Sequence, residues 1–468
     1  MKREKRFSKQ RGNKEYPRKI ESSQQQNVRL SAAQALNEVI INKKKLKSVI
    51  DEKQKKFVRE SDRALLKEIA YGSLRRLPFL DFAIENFINK DIRETDPQIL
   101  SILRVGAYQI FFLDKVPNYA VVNECVNATK LINMEKAAGF VNTILRRISE
   151  NKEEIFSLSY SKPFPDSLVF KYGFPLWLVK RYLKMFGDEA EEILESFNQP
   201  AQNSIVFFST SDFIASNEKL KDLQIEDNEL FDLTFWVKKG NPAENAAFKE
   251  GAFYICDPAS QIPALSLPIE NRNFSLDLCA APGTKTIIIS KRLPKDSFLV
   301  SSDFSKGRLI QLIENKEKYS LNNVFLTASD LVNGLCFKEK FYSVLLDAPC
   351  SSMGTLKKNP EIRWQIDEER IAKEGKRQFE MLNKAGESVK KGGYLLYSVC
   401  SIEKEETVDV VENFLKENKD FSKAEIDIEE KIKRSFTLID KSTIMVKPNQ
   451  HKGDSFFVSL FRKKNGRG

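Results

Sequence analysis

Two cysteines, Cys350 and Cys400, each follow a short apolar run and sit in a small polar turn. Ser343-Val344-Leu345-Leu346 leads into Asp347-Ala348-Pro349-Cys350-Ser351-Ser352. Fifty positions on, Tyr394-Leu395-Leu396-Tyr397 leads through Ser398-Val399 to Cys400-Ser401. Runs that are apolar without alternation predict buried parallel strands. Ligands and chemistry collect at the carboxyl ends of such strands in open α/β sheets. A lone cysteine at a strand end is usually a packing residue, and Cys125, Cys279 and Cys336 read that way. Two thiols in matched turns beside an acid point instead to covalent chemistry, with a thiolate as nucleophile.

Upstream, Phe274-Ser275-Leu276-Asp277-Leu278 predicts a strand, Cys279-Ala280-Ala281-Pro282-Gly283 a tight small-residue turn, and the following residues a helix beginning near Thr284. Small residues let backbone approach a ligand, and the helix start offers free amides and partial positive charge to a carboxylate. The turn has one glycine where a dinucleotide fingerprint needs three, and no phosphate-loop pattern precedes Lys285-Thr286, which disfavours a pyrophosphate or triphosphate ligand. Asp303 ends the next apolar run twenty residues past Gly283, where an acid can accept hydrogen bonds from ribose hydroxyls. Asp330 follows a third run, Val324 to Ser329, at the position for an adenine amino group. Acids at successive strand ends and one helix start describe an adenosyl ligand without phosphates, and S-adenosyl-L-methionine fits that description. Asp277 can brace the turn without touching the ligand, and Asp303 and Asp330 have an alternative reading as turn caps.

Four segments, D-L-C-A-A-P-G-T-K-T, S-D-F-S-K-G-R-L, D-A-P-C-S-S-M-G and Y-S-V-C-S, resemble in order and spacing the Sun/Fmu family of RNA cytosine-C5 methyltransferases. Cys256-Asp257-Pro258-Ala259-Ser260-Gln261 and Asp454-Ser455-Phe456-Phe457-Val458 resemble its flanking motifs, so the likeness spans roughly 160 to 463. The resemblance implies that Cys400 adds to carbon 6 of cytosine, turning the ring into an enamine that can take a methyl group at carbon 5. It implies that Cys350 assists loss of the carbon 5 proton and release of product, that Asp347 bonds the cytosine amidine edge, and that Lys285 lies near the base. The implied cofactor contacts are Cys279, Ala280, Ala281, Pro282, Gly283, Thr284, Lys285, Asp303, Arg308, Asp330 and Asp347. Arg363 and Trp364, in the long connection after Cys350, are candidates for RNA contact by ion pairing and stacking, with packing of Trp364 as the other reading.

The sequence also departs from the family pattern. Val206-Phe207-Phe208-Ser209 stands where an Arg-x-Asn is usual, Thr284 replaces a glycine of the cofactor turn, and Ser455 replaces the glycine before Phe456. These departures bear on RNA contact at the first position and on cofactor affinity at the second.

The elements that must position this chemistry occupy a chain of 468 residues, enough for two or three domains, and 41% hydrophobic content is enough for real cores. Residues 1–27 are polar and basic, carry no secretory h-region and read as a disordered tail. From 28 to 149 apolar residues recur at helical spacing, as in Leu30, Ala33, Leu36, Val39 and Ile40, and a helix is expected to start at Asp62. Tyr71-Gly72-Ser73-Leu74-Arg75, Leu103 to Gln109 and Gly139 to Arg147 resemble the NusB-like RNA-binding domain. In the Sun/Fmu family that domain precedes the catalytic half in bacterial enzymes acting on 16S rRNA, which narrows the implied substrate.

Residues 150–250 read as a small α+β RNA-binding or linking subdomain, with a strand at Asn203 to Ser209. Residues 251–463 read as the catalytic domain, with one long helix from Glu368 to Val389 ended by Lys391-Gly392-Gly393, and the tail from Arg462 reads as loose. The expected fold is therefore multidomain: an all-α NusB-like domain, then an α/β Rossmann-like S-adenosylmethionine-dependent methyltransferase domain.

The strongest apolar run, Ile99 to Leu113, is broken by Arg104, so no membrane span is expected. Unpaired cysteines suggest a reducing cytoplasm, and the expected state is a monomer. The net charge of +11 suits a polyanionic partner without naming one. With one histidine, His451, and no C-x-x-C, no metal site is expected. Transfer RNA as substrate, and a noncatalytic RNA-binding assembly factor, are the alternatives to 16S rRNA methylation.

Overall fold

A computed structural model describes residues 27–333 and 337–465. The basic leader up to position 26 and Cys336 lie outside the described residues. The chain divides into two compact units: residues up to Glu38 with Lys47–Ser73 and Ala83–Lys152, and Val39–Leu46 with Leu74–Phe82 and Glu153–Gly468.

The first unit is helical, as the spacing predicted. Its centre is helix Pro97–Phe112, which buries twelve residues and starts on Asp96, whose carboxylate accepts from the amides of Gln98 and Ile99. A helix apolar on all sides must be surrounded, and glycines let its neighbours approach. A Cβ on Gly106 would lie 2.6 Å from Leu145, and one on Gly72 would strike the Tyr108 ring at 2.0 Å. The helix expected from Asp62 begins two residues earlier, at Glu60, which places Glu60 and Asp62 together in its first turn.

In the second unit, β1 (Asn203–Phe207), β2 (Gln224–Asp227), β3 (Thr234–Lys239) and β4 (Phe253–Ile255) form a small antiparallel sheet in the order β2-β3-β1-β4. A nine-stranded sheet follows. It comprises β5 (Phe274–Leu278), β6 (Phe298–Asp303), β7 (Val324–Ala328), β8 (Phe341–Asp347), β9 (Val389–Val399), β10 (Phe421–Lys423), β11 (Thr437–Asp440), β12 (Thr443–Val446) and β13 (Phe456–Lys463). Its order is β11-β12-β13-β9-β8-β5-β6-β7, with β10 paired to β13. Strands β9, β8, β5, β6 and β7 run parallel, and β13 adds antiparallel to β9.

The apolar runs lack alternation because both faces are covered. Leu299, Leu345 and Leu396 pack under helix Thr284–Arg292. Leu276, Leu278, Val344, Leu346, Leu395 and Tyr397 face the other way, onto helices Glu368–Ser388 and Val408–Glu417.

The chain leaves β5 toward β6 and β7, then returns on the other side of β5 as β8 and β9. This reversal makes a switch point at the carboxyl ends of β5 and β8, where α/β sheets open a crevice for ligands. Two expectations shift. Lys391-Gly392-Gly393 is not a helix stop: the helix ends at Ser388 and β9 begins at once, running through both glycines. Gly392 takes φ 77°, and a Cβ on Gly393 would lie 2.6 Å from the Tyr342 carbonyl, beside the register shift between β8 and β9. Arg462 and Lys463 likewise belong to β13 rather than to a loose tail.

Candidate active site

The residues singled out by type and spacing gather at the carboxyl edge of the parallel strands. Asp347 ends β8 in register with Ser398 of β9, and each strand then turns into a cysteine. The Ala348 amide bonds the Ser398 carbonyl at 2.9 Å. Cys350 packs against the core on one face of the sheet and Cys400 against the other, and their sulfurs meet at 3.2 Å. Cys400 Sγ also lies 3.8 Å from Ser352 Oγ, and Ser352 is held in the left-handed region at φ 62°.

Gly354 ties the two turns to the loop before β13. Its amide donates to the Cys400 carbonyl at 3.0 Å and its carbonyl accepts from the Ser455 amide at 2.9 Å. A Cβ there would lie 2.7 Å from the Ser455 oxygen, so only glycine permits this approach.

Beside the thiols, Lys285 Nζ pairs with Asp347 Oδ2 at 2.6 Å and lies 5.2 Å from the Phe456 ring centre, while Ser398 Oγ donates to Asp347 Oδ1 at 2.6 Å. The lysine side chain is 12% exposed. Burial, the largest single influence, works against its charge, but the charge and hydrogen bond of Asp347, together with Cys400 and Asp277, hold the Lys285 pKa above the usual value. The hydrogen bond to Cys400, then burial, then the charges of Cys400 and Glu406 push the Cys350 thiol well above the ordinary range. Cys350 therefore rests protonated.

The small-residue turn leads into helix Thr284–Arg292 as expected. Gly283 at its start has φ 111°, and no side chain caps the helix, so the first-turn amides are open to a ligand. Asp303, fully buried, accepts from the Ala281 amide at 3.2 Å and the Ser305 amide at 2.8 Å, and pairs with Arg308 Nη2 at 3.0 Å. Asp330 accepts from the Val332 and Asn333 amides at 3.0 and 3.4 Å, the turn-cap geometry that was its alternative reading.

Asp277 braces the turn from below. Its Oδ2 accepts from Thr286 Oγ1 at 2.6 Å, its Oδ1 is buried with no protein partner, and burial pushes its carboxyl up to about 7. Burial also pushes Cys279 up to about 12, which keeps that thiol inert.

Two predicted residues do not join the site. Arg363 is 1% exposed: its Nη1 donates to the Gly173 carbonyl and Asn198 Oδ1, both at 3.1 Å, and its guanidinium stacks 3.8 Å from the Phe174 ring centre. A guanidinium enclosed this way is not presented to RNA. Trp364 is half-buried and donates from Nε1 to the Leu74 carbonyl, so it follows the packing alternative.

The sequence reading missed Glu406, on which the residues after both cysteines converge. Within the acidic stretch Glu403 to Glu406 it resembles an ordinary solvated acid. It also missed the ion network behind Gly354, although the flanking motifs held its two acids. Lys358 Nζ lies 2.7 Å from both Asp257 and Asp454. Lys357 Nζ donates to the carbonyls of Pro448 and His451, and burial lowers its pKa to about 8.

His451 is packed rather than catalytic, with burial lowering its pKa to about 4. Its Nδ1 accepts from the Gly453 amide, so Nε2 carries the proton and donates to the Asp454 carbonyl. Among the described residues no cluster of metal-ligating side chains occurs, and no helix is long and apolar enough to cross a membrane.

Comparison with known proteins agrees with this geometry. Residues 264–462 match the family described as 16S rRNA methyltransferase RsmB/F, and residues 26–150 match the NusB family. The chain is 28% identical to the probable ribosomal RNA small subunit methyltransferase B of Bacillus subtilis, across 90% of this chain and 94% of that protein. It is 29% identical to ribosomal RNA small subunit methyltransferase B of Proteus mirabilis, across 94% and 99%. A solved structure described as PH0851 superposes with a TM-score of 0.77 at 25% identity, covering 94% of this chain and 98% of that one. With a helical NusB-type unit ahead of a parallel-rich sheet that carries paired thiols at its switch point, the chain is a methyltransferase whose residues 264–462 match the RsmB/F family and whose residues 26–150 match the NusB family.

Proposed function

We propose that this protein transfers a methyl group from S-adenosyl-L-methionine to carbon 5 of a cytosine in 16S rRNA, through a covalent bond between Cys400 and the base. The observation that carries the reading is the 3.2 Å approach of two sulfurs beside a partly buried Lys285–Asp347 pair. The small-subunit rRNA methyltransferases named above, similar over nearly their whole length, support the choice of substrate.

The chain's residues suit the adenosyl ligand. The uncapped start of helix Thr284–Arg292 would receive the ligand's carboxylate, and buried Asp303 would accept from its ribose hydroxyls, with half-exposed Arg308 the partner that gives way. Asp330, just past the end of β7, would be the acceptor for the adenine amino group. The bound cofactor supplies the electrophilic methyl group.

Cys400 Sγ adds to carbon 6, and the electron pair of the 5,6 double bond becomes available at carbon 5. Asp347, anchored by Ser398 and Lys285, bonds the amidine edge of the base. Lys285 holds fixed positive charge where the ring gains negative charge. Cys350 keeps its proton while Cys400 attacks. Once Cys400 is bonded to the ring, Cys350 gives up its proton to solvent water, and the resulting thiolate, made strongly basic by the surroundings that raise its pKa, takes the carbon 5 proton. The 5,6 double bond then re-forms and the carbon 6–sulfur bond breaks, returning the pair to Cys400.

Such a thiol pair needs a reducing compartment, consistent with a cytoplasmic enzyme. The test is tritium transfer from labelled S-adenosylmethionine to unmodified 16S rRNA and to unmodified tRNA, with wild type and Cys400→Ala side by side. Cysteine-dependent label recovered as 5-methylcytidine from 16S rRNA is the expected result. Full transfer by Cys400→Ala, or label confined to tRNA, overturns the reading.

A further inference from the structure

Glu406 is fully buried, and its carboxylate collects four hydrogen bonds. Oε1 accepts from the Ser351 amide at 2.7 Å and from Gln378 Nε2 at 3.0 Å. Oε2 accepts from the hydroxyls of Ser351 and Ser401, each at 2.5 Å. Ser351 and Ser401 are the residues that directly follow Cys350 and Cys400. One carboxylate therefore fixes both cysteine turns.

The segment that carries it is itself held. Arg181 engages Glu403 and Glu405, and a Cβ on Gly375 would meet the Glu405 carbonyl at 2.2 Å, so this stretch presses directly on helix Glu368–Ser388. Gln378 of that helix also donates to the Pro349 carbonyl at 2.9 Å. Among the described residues Glu406 has no ion-pair partner. A buried carboxylate without a cation is costly unless donors surround it, and three of the four donors here belong to the two turns themselves, the fourth being Gln378.

We infer that Glu406 is a positioning residue for the reaction, its carboxylate locking the two cysteine turns so that both sulfurs are held together at the site of the target base. This rests on the proposed two-thiol chemistry. The charge of Glu406 close to Cys350 disfavours a thiolate there. Lys285 and Asp347, on the Cys400 side, complete the charged surroundings.

The test uses the full chain as Glu406→Gln and, separately, as the Ser351→Ala/Ser401→Ala double variant, which removes two donors and leaves the carboxylate. The first readout is a ruler independent of methyl transfer. Diamide takes two electrons and two protons from a pair of thiols, is reduced to its hydrazine, and leaves a Cys350–Cys400 disulfide that peptide mapping quantifies. The second readout is kcat and KM for methyl transfer.

The expected result is fast disulfide formation in wild type and slowing on the order of tenfold or more in both variants. A fall in kcat approaching about 10²-fold, with KM for S-adenosylmethionine unchanged, should accompany it. An unchanged disulfide rate in the variants overturns the inference, as does slowed disulfide formation with kcat unaltered. If wild type forms the disulfide faster than the variants but transfers no methyl group to any RNA, the clamp stands as an arrangement of the thiols and the proposed function fails. Should Glu406→Gln not fold, the serine variant decides alone.

Discussion

Replacing Asp347 with Asn isolates what its charge contributes. The side chain keeps its size, and its remaining oxygen can still accept from Ser398 Oγ, now 2.6 Å away. The variant loses one negative charge 2.6 Å from Lys285 Nζ. At an effective dielectric of about 20, two unit charges at that separation attract by about 6 kcal/mol. Holding Lys285 in a site where its side chain is 12% exposed offsets part of this. Breaking one member of a buried pair typically costs about 3–5 kcal/mol, and the quarter-exposed carboxylate places this pair toward the low end, at about 2–4 kcal/mol.

If that energy is used in the reaction, single-turnover methyl transfer at saturating cofactor falls about 30- to 10³-fold in Asp347→Asn, comparable at its upper end with losing one preorganised donor from an active site. Lys285→Met should cost a similar factor, and the double variant should lie within about threefold of the slower single variant, because the two groups act as a unit. Transfer by Asp347→Asn within about threefold of wild type, or losses that multiply in the double variant, would refute the argument that the pair works as one electrostatic element.

Cys350→Ala should retain addition by Cys400 and lose release, so a covalent RNA–protein band accumulates on denaturing gels; normal turnover would remove Cys350 from the mechanism. Asp277 has its folded pKa raised to about 7 by burial, above its unfolded value, so its contribution to stability is complete below about pH 4 and is lost as pH rises through 7. Thermal unfolding at pH 5 and pH 8 should show wild type losing about 2.5–3 kcal/mol more than Asp277→Asn over this range, and equal pH slopes would contradict the buried, proton-retaining carboxyl. Arg363→Met should lower stability by about 2–4 kcal/mol through loss of its two hydrogen bonds and its stacking on Phe174. The salt dependence of RNA binding should stay unchanged, whereas a phosphate-contacting arginine would lower that slope by about one.

The sequence by itself determined the strand ends and what stands on them. Unalternating apolar runs followed by Asp347, Cys350 and Cys400 require strands buried on both faces, and the small-residue turn before Thr284 requires a tight entry into a helix, so both local structures follow from residue type and spacing. The tertiary structure decided which sequence-distant groups meet. Glu406 is one acid in an acidic stretch until Ser351 and Ser401 fold onto it from two different strand ends. Arg363 and Trp364 look like RNA contacts until the packing around Phe174 and the Leu74 carbonyl encloses them. Lys358 gains its two carboxylates from segments about a hundred residues away on either side. Periodicity and turn chemistry are local and leave a record in the sequence; burial and charge pairing depend on distances that exist only once the sheet has closed over its two cores.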